Sequence, residues 1–256
     1  MRGLFVTATD TGVGKTWVSA RIVESLIAEG RRVGALKPIA TSGEPAEDGS
    51  LVTPDAAILG AALGELDRAR ADLIAPIVLP GDLAPSVAMR LSGRILSFAD
   101  ILATTTRSLA AWSERAEIVV VEGVGGLLCP ISADATVADL AIALDFPVVI
   151  VGRRGLGTLN HVLLTVEAAR WRGLRVAGVV LNGSEPCANP VAEATNAGEL
   201  ADRLGDVPIL AEIPHESIGS SRIVSKIDVD WFGRSGRSRL SLAPDAPRHA
   251  PVATDG

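Results

Sequence analysis

The sequence predicts an α/β protein with a mostly parallel sheet and helices on both of its faces. Two observations carry this. Short apolar runs recur at 4–7, 33–36, 117–123, 146–152, 175–183 and 207–214. Segments with helical apolar spacing separate them. Runs apolar throughout, rather than alternating, suit strands buried on both faces, and intervening helices supply the cover. A chain of 256 residues accommodates one large α/β domain. The expected domain is 1–216. From about Ser217 the pattern decays into a Gly, Pro, Ser and Arg-rich stretch, and 217–256 is expected to be a disordered tail.

Each element has a local reason. After the strand at 4–7, apolar Trp17, Val18, Ile22, Val23, Leu26 and Ile27 mark a helix that Gly30 stops. The strand at 33–36 ends in Lys37-Pro38. Residues 41–50, TSGEPAEDGS, read as a polar loop. Pro54 and Asp55 open a helix to about Leu63, since proline fits a first turn and a carboxylate suits its positive end. The proline-containing apolar stretch 73–86 reads as irregular. Ser97 is a capping residue for a helix through Trp112. Further helices are expected at 158–173 and near 191–204.

Composition narrows the function. A net charge of −6 argues against nucleic acid or an anionic membrane as the main partner. No apolar run reaches the length of a membrane span. Met1-Arg2-Gly3-Leu4 does not open an apolar targeting segment. Cys129 and Cys187, the only cysteines, form neither a metal-binding spacing nor a disulfide framework. The expected compartment is the cytoplasm.

The chemistry concentrates in VTATDTGVGKTW, residues 6–17. A strand, a turn with Gly12, Val13 and Gly14, and Lys15-Thr16 opening a helix form a phosphate-binding arrangement. Backbone N–H groups of the turn face phosphate oxygens, Lys15 sits over the terminal phosphates, and the Thr16 hydroxyl reaches Mg²⁺. The strict spacing puts Thr9 where a first glycine belongs. Glu122 follows four apolar residues at a strand's carboxyl edge, where α/β sheets bind ligands. A carboxylate there calls for a cation.

TATDTGVGKT resembles the phosphate loop of dethiobiotin synthetases, which is one residue longer than the strict motif. Its first glycine maps to Ala8, a departure. ALKPIATS, VTPDAAIL, VVVEGVGGLLCPI, LGTLNH and VVLN resemble that family's other segments in order, over residues 3–214. The resemblance implies a single-domain P-loop NTPase-like three-layer fold. It implies a ligase that joins CO₂ to 7,8-diaminononanoate with ATP as co-substrate and Mg²⁺ as cofactor, through a carbamate and a carbamic-phosphoric anhydride. Lys15 and Lys37 are the catalytic cations it implies. Thr16, Asp55 and Glu122 are its metal ligands, and Glu122 and Asn182 join the loop in nucleotide binding. Thr11, Thr41, Gly125 and Asn160 are its substrate contacts, Asn160 from the second subunit of a homodimer.

Read from the residues alone, Lys37 also suits a solvated strand end and Asp55 a helix start. Thr11, Thr41 and Asn182 also suit turns. His161 reads as structural, and Arg153 and Arg154 receive no role. Two other functions share the fold. A partition or septum-site ATPase would carry a lysine early in the loop, and none precedes Lys15; a basic amphipathic helix near the C-terminal end is also missing. A cobyrinate-type amidoligase would draw ammonia from a glutaminase domain, for which no Cys-His motif is present.

Overall fold

The computed structural model describes residues 1–47, 49–64, 68–186 and 188–215. The tail expected at 217–256 lies outside the described residues. In chain order the elements are β1 (Arg2–Ala8), α1 (Lys15–Ala28), β2 (Val33–Leu36), β3 (Ile39–Pro45), β4 (Leu51–Val52), α2 (Pro54–Ala62), α3 (Arg68–Ile74), β5 (Ile77–Pro80) and α4 (Pro85–Ser92). They continue as α5 (Phe98–Ser113), β6 (Ile118–Glu122), α6 (Val137–Leu144), β7 (Val148–Arg153), α7 (Thr158–Trp171), β8 (Val176–Asn182), α8 (Pro190–Leu204) and β9 (Ile209–Ile213).

Six strands form one sheet in the order β2-β6-β1-β7-β8-β9, with every neighbouring pair parallel. The expected mostly parallel sheet is therefore present. The apolar runs explain its centre, because β1 from Gly3, all of β6, and β7 to Gly152 are buried. β1 lies between β6 and β7, so the chain runs outward from it in both directions. That places a crevice at the carboxyl end of β1. β2, β6, β7 and β8 end on the same edge.

Two expectations fail. Residues 41–50 are not all loop, since β3 runs to Pro45 and joins β4 and β5 in a three-stranded sheet of order β4-β3-β5. Only the inner end of β3 is buried, so its outer half carries polar residues that mask the strand. A register shift between Ala40 and Gly43 accompanies Ser42 at φ 61, a left-handed conformation unusual for serine. The stretch 73–86 is also regular. It holds the end of α3, then β5, and Pro85 begins α4. Pro80 ends a strand and Pro85 starts a helix, both places where the missing N–H costs little.

The Ser97 cap is as expected, and the start of α6 carries a second capping box that the sequence reading did not include. The Asp100 N–H donates to Ser97 Oγ at 3.2 Å, and the Ser97 N–H donates to Asp100 Oδ2 at 2.9 Å. At α6 the Thr136 N–H and hydroxyl both donate to Asp139 Oδ2, at 2.7 and 2.6 Å, and Arg172 pairs with Oδ1 at 3.0 Å. Partial burial pushes the Asp139 carboxyl up, but these donors outweigh it and hold the group below the usual carboxylate range. Its contribution is therefore present at neutral pH and fades as the carboxylate protonates. Asp139→Asn is expected to cost about 1 kcal/mol at pH 7. In urea unfolding the gap to wild type should close as pH falls from about 4 downward.

Candidate active site

The loop between β1 and α1 begins where Ala8 ends its strand. Among the described residues, left-handed non-glycine backbone occurs only at Ser42 and Asp145, so Ala8 meets no demand for glycine. The left-handed positions of the loop are Gly12 at φ 75 and Gly14 at φ 86, and both are glycines. A Cβ on Gly14 would also lie 2.2 Å from Asn182 Nδ2. The departure at position 8 is thus harmless to the loop's conformation.

Four residues predicted from separate segments meet beside this loop. The Lys37 ammonium, just past β2, lies 2.6 Å from Glu122 Oε1 and 2.6 Å from Asp55 Oδ2. The Thr16 hydroxyl, on the first turn of α1, lies 2.7 Å from Glu122 Oε1 and 2.9 Å from Asp55 Oδ1. Glu122 is 0% exposed and Lys37 4%. β6 carries Glu122 to the edge, and the start of α2 carries Asp55. Asp55 keeps 29% of its side chain exposed, so the cluster opens on that side.

The two lysines have opposite electrostatics. Burial opposes the Lys37 charge, but Glu122 and Asp55 outweigh burial and hold its ammonium above the ordinary lysine range. Lys15 is also buried, at 7% exposure. Its contact is with the Asp10 carbonyl oxygen, at 3.3 Å. Burial, aided by the Lys37 charge, pushes Lys15 below the ordinary range despite Glu122 and Asp55. Lys15 is a cation held ready without a carboxylate of its own.

The oxygen set fits a hard divalent cation. A hydroxyl has one proton, so Thr16 satisfies only one of the two carboxylate oxygens at a time. Glu122 Oε2 is buried without a hydrogen-bond partner. Among the described residues no three His, Cys, Asp or Glu side chains group to hold a metal. Two carboxylates and a hydroxyl suit Mg²⁺, which keeps other positions for water and phosphate oxygens.

The remaining predicted residues divide. Asn182, at the end of β8, is buried and donates from Nδ2 to the Val13 carbonyl at 2.9 Å. Thr11 is exposed at the loop tip, near Gly125. A Cβ on Gly125, which has φ 63, would lie 3.7 Å from Thr11 Oγ1 and 2.8 Å from Cys129 Sγ. Burial pushes the Cys129 thiol up. Thr41 is half-buried on β3, beside the strained Ser42. Asn160 is exposed on the first turn of α7 and has no side-chain hydrogen bond to the lysine–carboxylate cluster. The sequence reading missed Asp10, which pairs with Arg153 at 3.4 Å and receives Lys15 on its carbonyl. No motif signals an ion pair spanning two strand ends.

The chain is similar to known proteins over most of its length. Residues 2–220 match the family model described as an AAA domain. The chain is 47% identical over 216 residues to the ATP-dependent dethiobiotin synthetase BioD of Anaeromyxobacter dehalogenans (strain 2CP-C), covering 84% of this chain and 91% of that one. It is 38% identical to the protein of that name from Thermodesulfovibrio yellowstonii, over 86% and 94% of the two chains. Identity to the Bacillus subtilis (strain 168) protein of the same name is 35%, over 84% and 87%. Among solved structures, a ParA family ATPase from Chlorobium tepidum TLS matches 84% of this chain and 85% of its own, with a TM-score of 0.48 and 15% identity. With relatives at this identity spanning nearly their full length, the chain belongs to the ATP-dependent dethiobiotin synthetase family.

Proposed function

We propose that the protein catalyses ATP-dependent formation of dethiobiotin from 7,8-diaminononanoate and CO₂, with Lys15 and Lys37 as the catalytic cations. The carrying observation is the convergence of Lys37, Asp55, Glu122 and Thr16 beside the phosphate loop. One amine attacks CO₂ and loses a proton, giving a carbamate. A carbamate oxygen attacks the γ-phosphorus and displaces ADP. The second amine attacks the carbamoyl carbon and loses a proton, phosphate leaves, and the ureido ring closes. Charge sits on oxygen throughout, so catalysis asks for cations and N–H donors more than for a nucleophile.

Lys15 reaches the terminal phosphates, and the Gly12, Val13 and Gly14 backbone lines them. Lys37 stabilises the carbamate and the transferring phosphoryl group. Thr16, Asp55 and Glu122 would hold Mg²⁺, which neutralises phosphate charge when bound. Asn182 keeps its side-chain oxygen to accept from the adenine amino group. Thr11, Thr41 and Gly125 border the diamine. The start of α7 with Asn160 takes the substrate carboxylate, reaching it from the second subunit of a homodimer. The described residues include no helix long and apolar enough to cross a membrane. The cytoplasm is the proposed compartment.

The test mixes purified protein, ATP, Mg²⁺, bicarbonate and 7,8-diaminononanoate. Phosphate release should require both the diamine and bicarbonate. Release indifferent to the diamine would sink the reading and favour a regulatory ATPase. Glu122→Gln keeps shape but removes charge from the cation site. Its Mg²⁺ titration should shift to higher concentration, with saturating Mg²⁺ restoring part of the rate; an unchanged titration makes Glu122 structural. The shared site is tested by mixing subunits. Lys15→Met and Asn160→Leu should each be poorly active, whereas a reassorted equal mixture should recover about a quarter of wild-type activity. No recovery after confirmed reassortment would put the carboxylate site within one subunit.

A further inference from the structure

We infer that Asn196 is a positioning residue that orients the loop between β7 and α7 for the substrate carboxylate; this rests on the reading of that loop given above. Asn196 lies inside α8 and is 5% exposed. Asparagine is a poor helix former, and a buried amide needs partners. Its partners are two successive carbonyls. Nδ2 donates to Arg154 O at 2.7 Å and to Gly155 O at 3.1 Å. One amide nitrogen has two protons, and both are used.

The consequence follows from peptide geometry. In a trans peptide the N–H points opposite to the C=O. No peptide of the described residues is cis. Turning the Arg154 and Gly155 carbonyls onto α8 therefore turns the Gly155 and Leu156 N–H groups away from it. Among the described residues, neither N–H, nor that of Gly157, donates to another backbone group. Successive outward N–H groups ahead of a helix start form an anion-binding concavity. Glu193, three residues before Asn196 on the same face of α8, pairs with the Arg154 guanidinium at 3.5 Å, and Glu212 of β9 pairs with it at 3.6 Å. The loop is held from below by a side-chain amide and at one end by an ion pair.

The experiment compares two substrates. One is 7,8-diaminononanoate; the other is 2,3-diaminooctane, the same vicinal diamine without its carboxylate. Asn196→Asp sets carboxylate oxygens against both carbonyls and removes both donors. Its kcat/KM for the diaminononanoate should fall about tenfold, as for loss of a buried hydrogen-bonding pair. Its kcat/KM for 2,3-diaminooctane and its KM for ATP should match wild type. Equal falls on both diamines, or no fall on either, would make Asn196 a packing residue and overturn the inference. A wild-type enzyme that does not distinguish the two diamines would overturn both the inference and the carboxylate reading of the loop, while leaving dethiobiotin synthesis intact. If Asn196→Asp does not fold, Glu193→Gln carries the test. It should lower kcat/KM about threefold for the carboxylate-bearing substrate alone, and any other pattern counts against the inference.

Discussion

Lys15→Met is expected to lower diamine-dependent phosphate release by about a hundredfold or more, as for other preorganised charge stabilisers. The same change should leave the melting temperature equal to or above that of wild type. The two effects share a cause. Lys15 is buried, its contact is a carbonyl at 3.3 Å, and burial depresses its pKa. A base whose folded pKa is lowered destabilises the fold below that pKa, so removing its charge relieves a cost at neutral pH. Methionine keeps an unbranched apolar stem at this buried position. In the proposed function a nucleotide phosphate supplies the missing partner. Thermal melting and stopped-time phosphate assays on one preparation check both. An activity loss under tenfold with the fold intact would contradict the role.

Lys37→Met should fail differently. Turnover should fall about a hundredfold or more, and stability should fall with it, by about 3–5 kcal/mol, because a buried carboxylate loses its counter-charge. Glu122 is fully buried, and Lys37 is its ion-pair partner at 2.6 Å. The raised Lys37 pKa has the matching sign: its contribution is full below the ordinary lysine range and disappears only as pH rises through a value above it. Adding Glu122→Gln to Lys37→Met should restore most of the stability and none of the activity. Urea unfolding of the single and double variants, set beside their rates, separates the two roles. A Lys37→Met protein as stable as wild type would show that Glu122 finds its compensation elsewhere.

The main sheet was legible because its central strands, β6, β1 and β7, are buried on both faces and are written as largely apolar runs. β6 is the clearest, and a charge at its last position could only be read as a site. Lys15 and Thr16 were legible because a helix start after a glycine turn has few other uses. The second sheet was not, since β3 is half exposed and its residues are chosen by solvent as much as by pairing. Thr41 was named only through resemblance, and nothing local announced the bend beside it. Asp10 and Asn196 left little trace. Their roles depend on carbonyls and strand ends that come together only in three dimensions.

The bonds of the site join distant parts of the chain. Thr16 and Glu122 are 106 positions apart, Arg153 and Asp10 143, and Asn182 and Val13 169. The first strand of the chain is also one of the two central strands of the sheet, and both its neighbours come from the second half of the described residues. A ribosome therefore releases β1 and the phosphate loop long before anything exists to hold them in place. Such late, long-range closure slows folding and leaves an apolar strand unpaired during synthesis. It also makes nucleotide affinity a sign of completion, because a chain stopped before β8 has the Gly-Lys-Thr turn without the Asn182 strut that braces it.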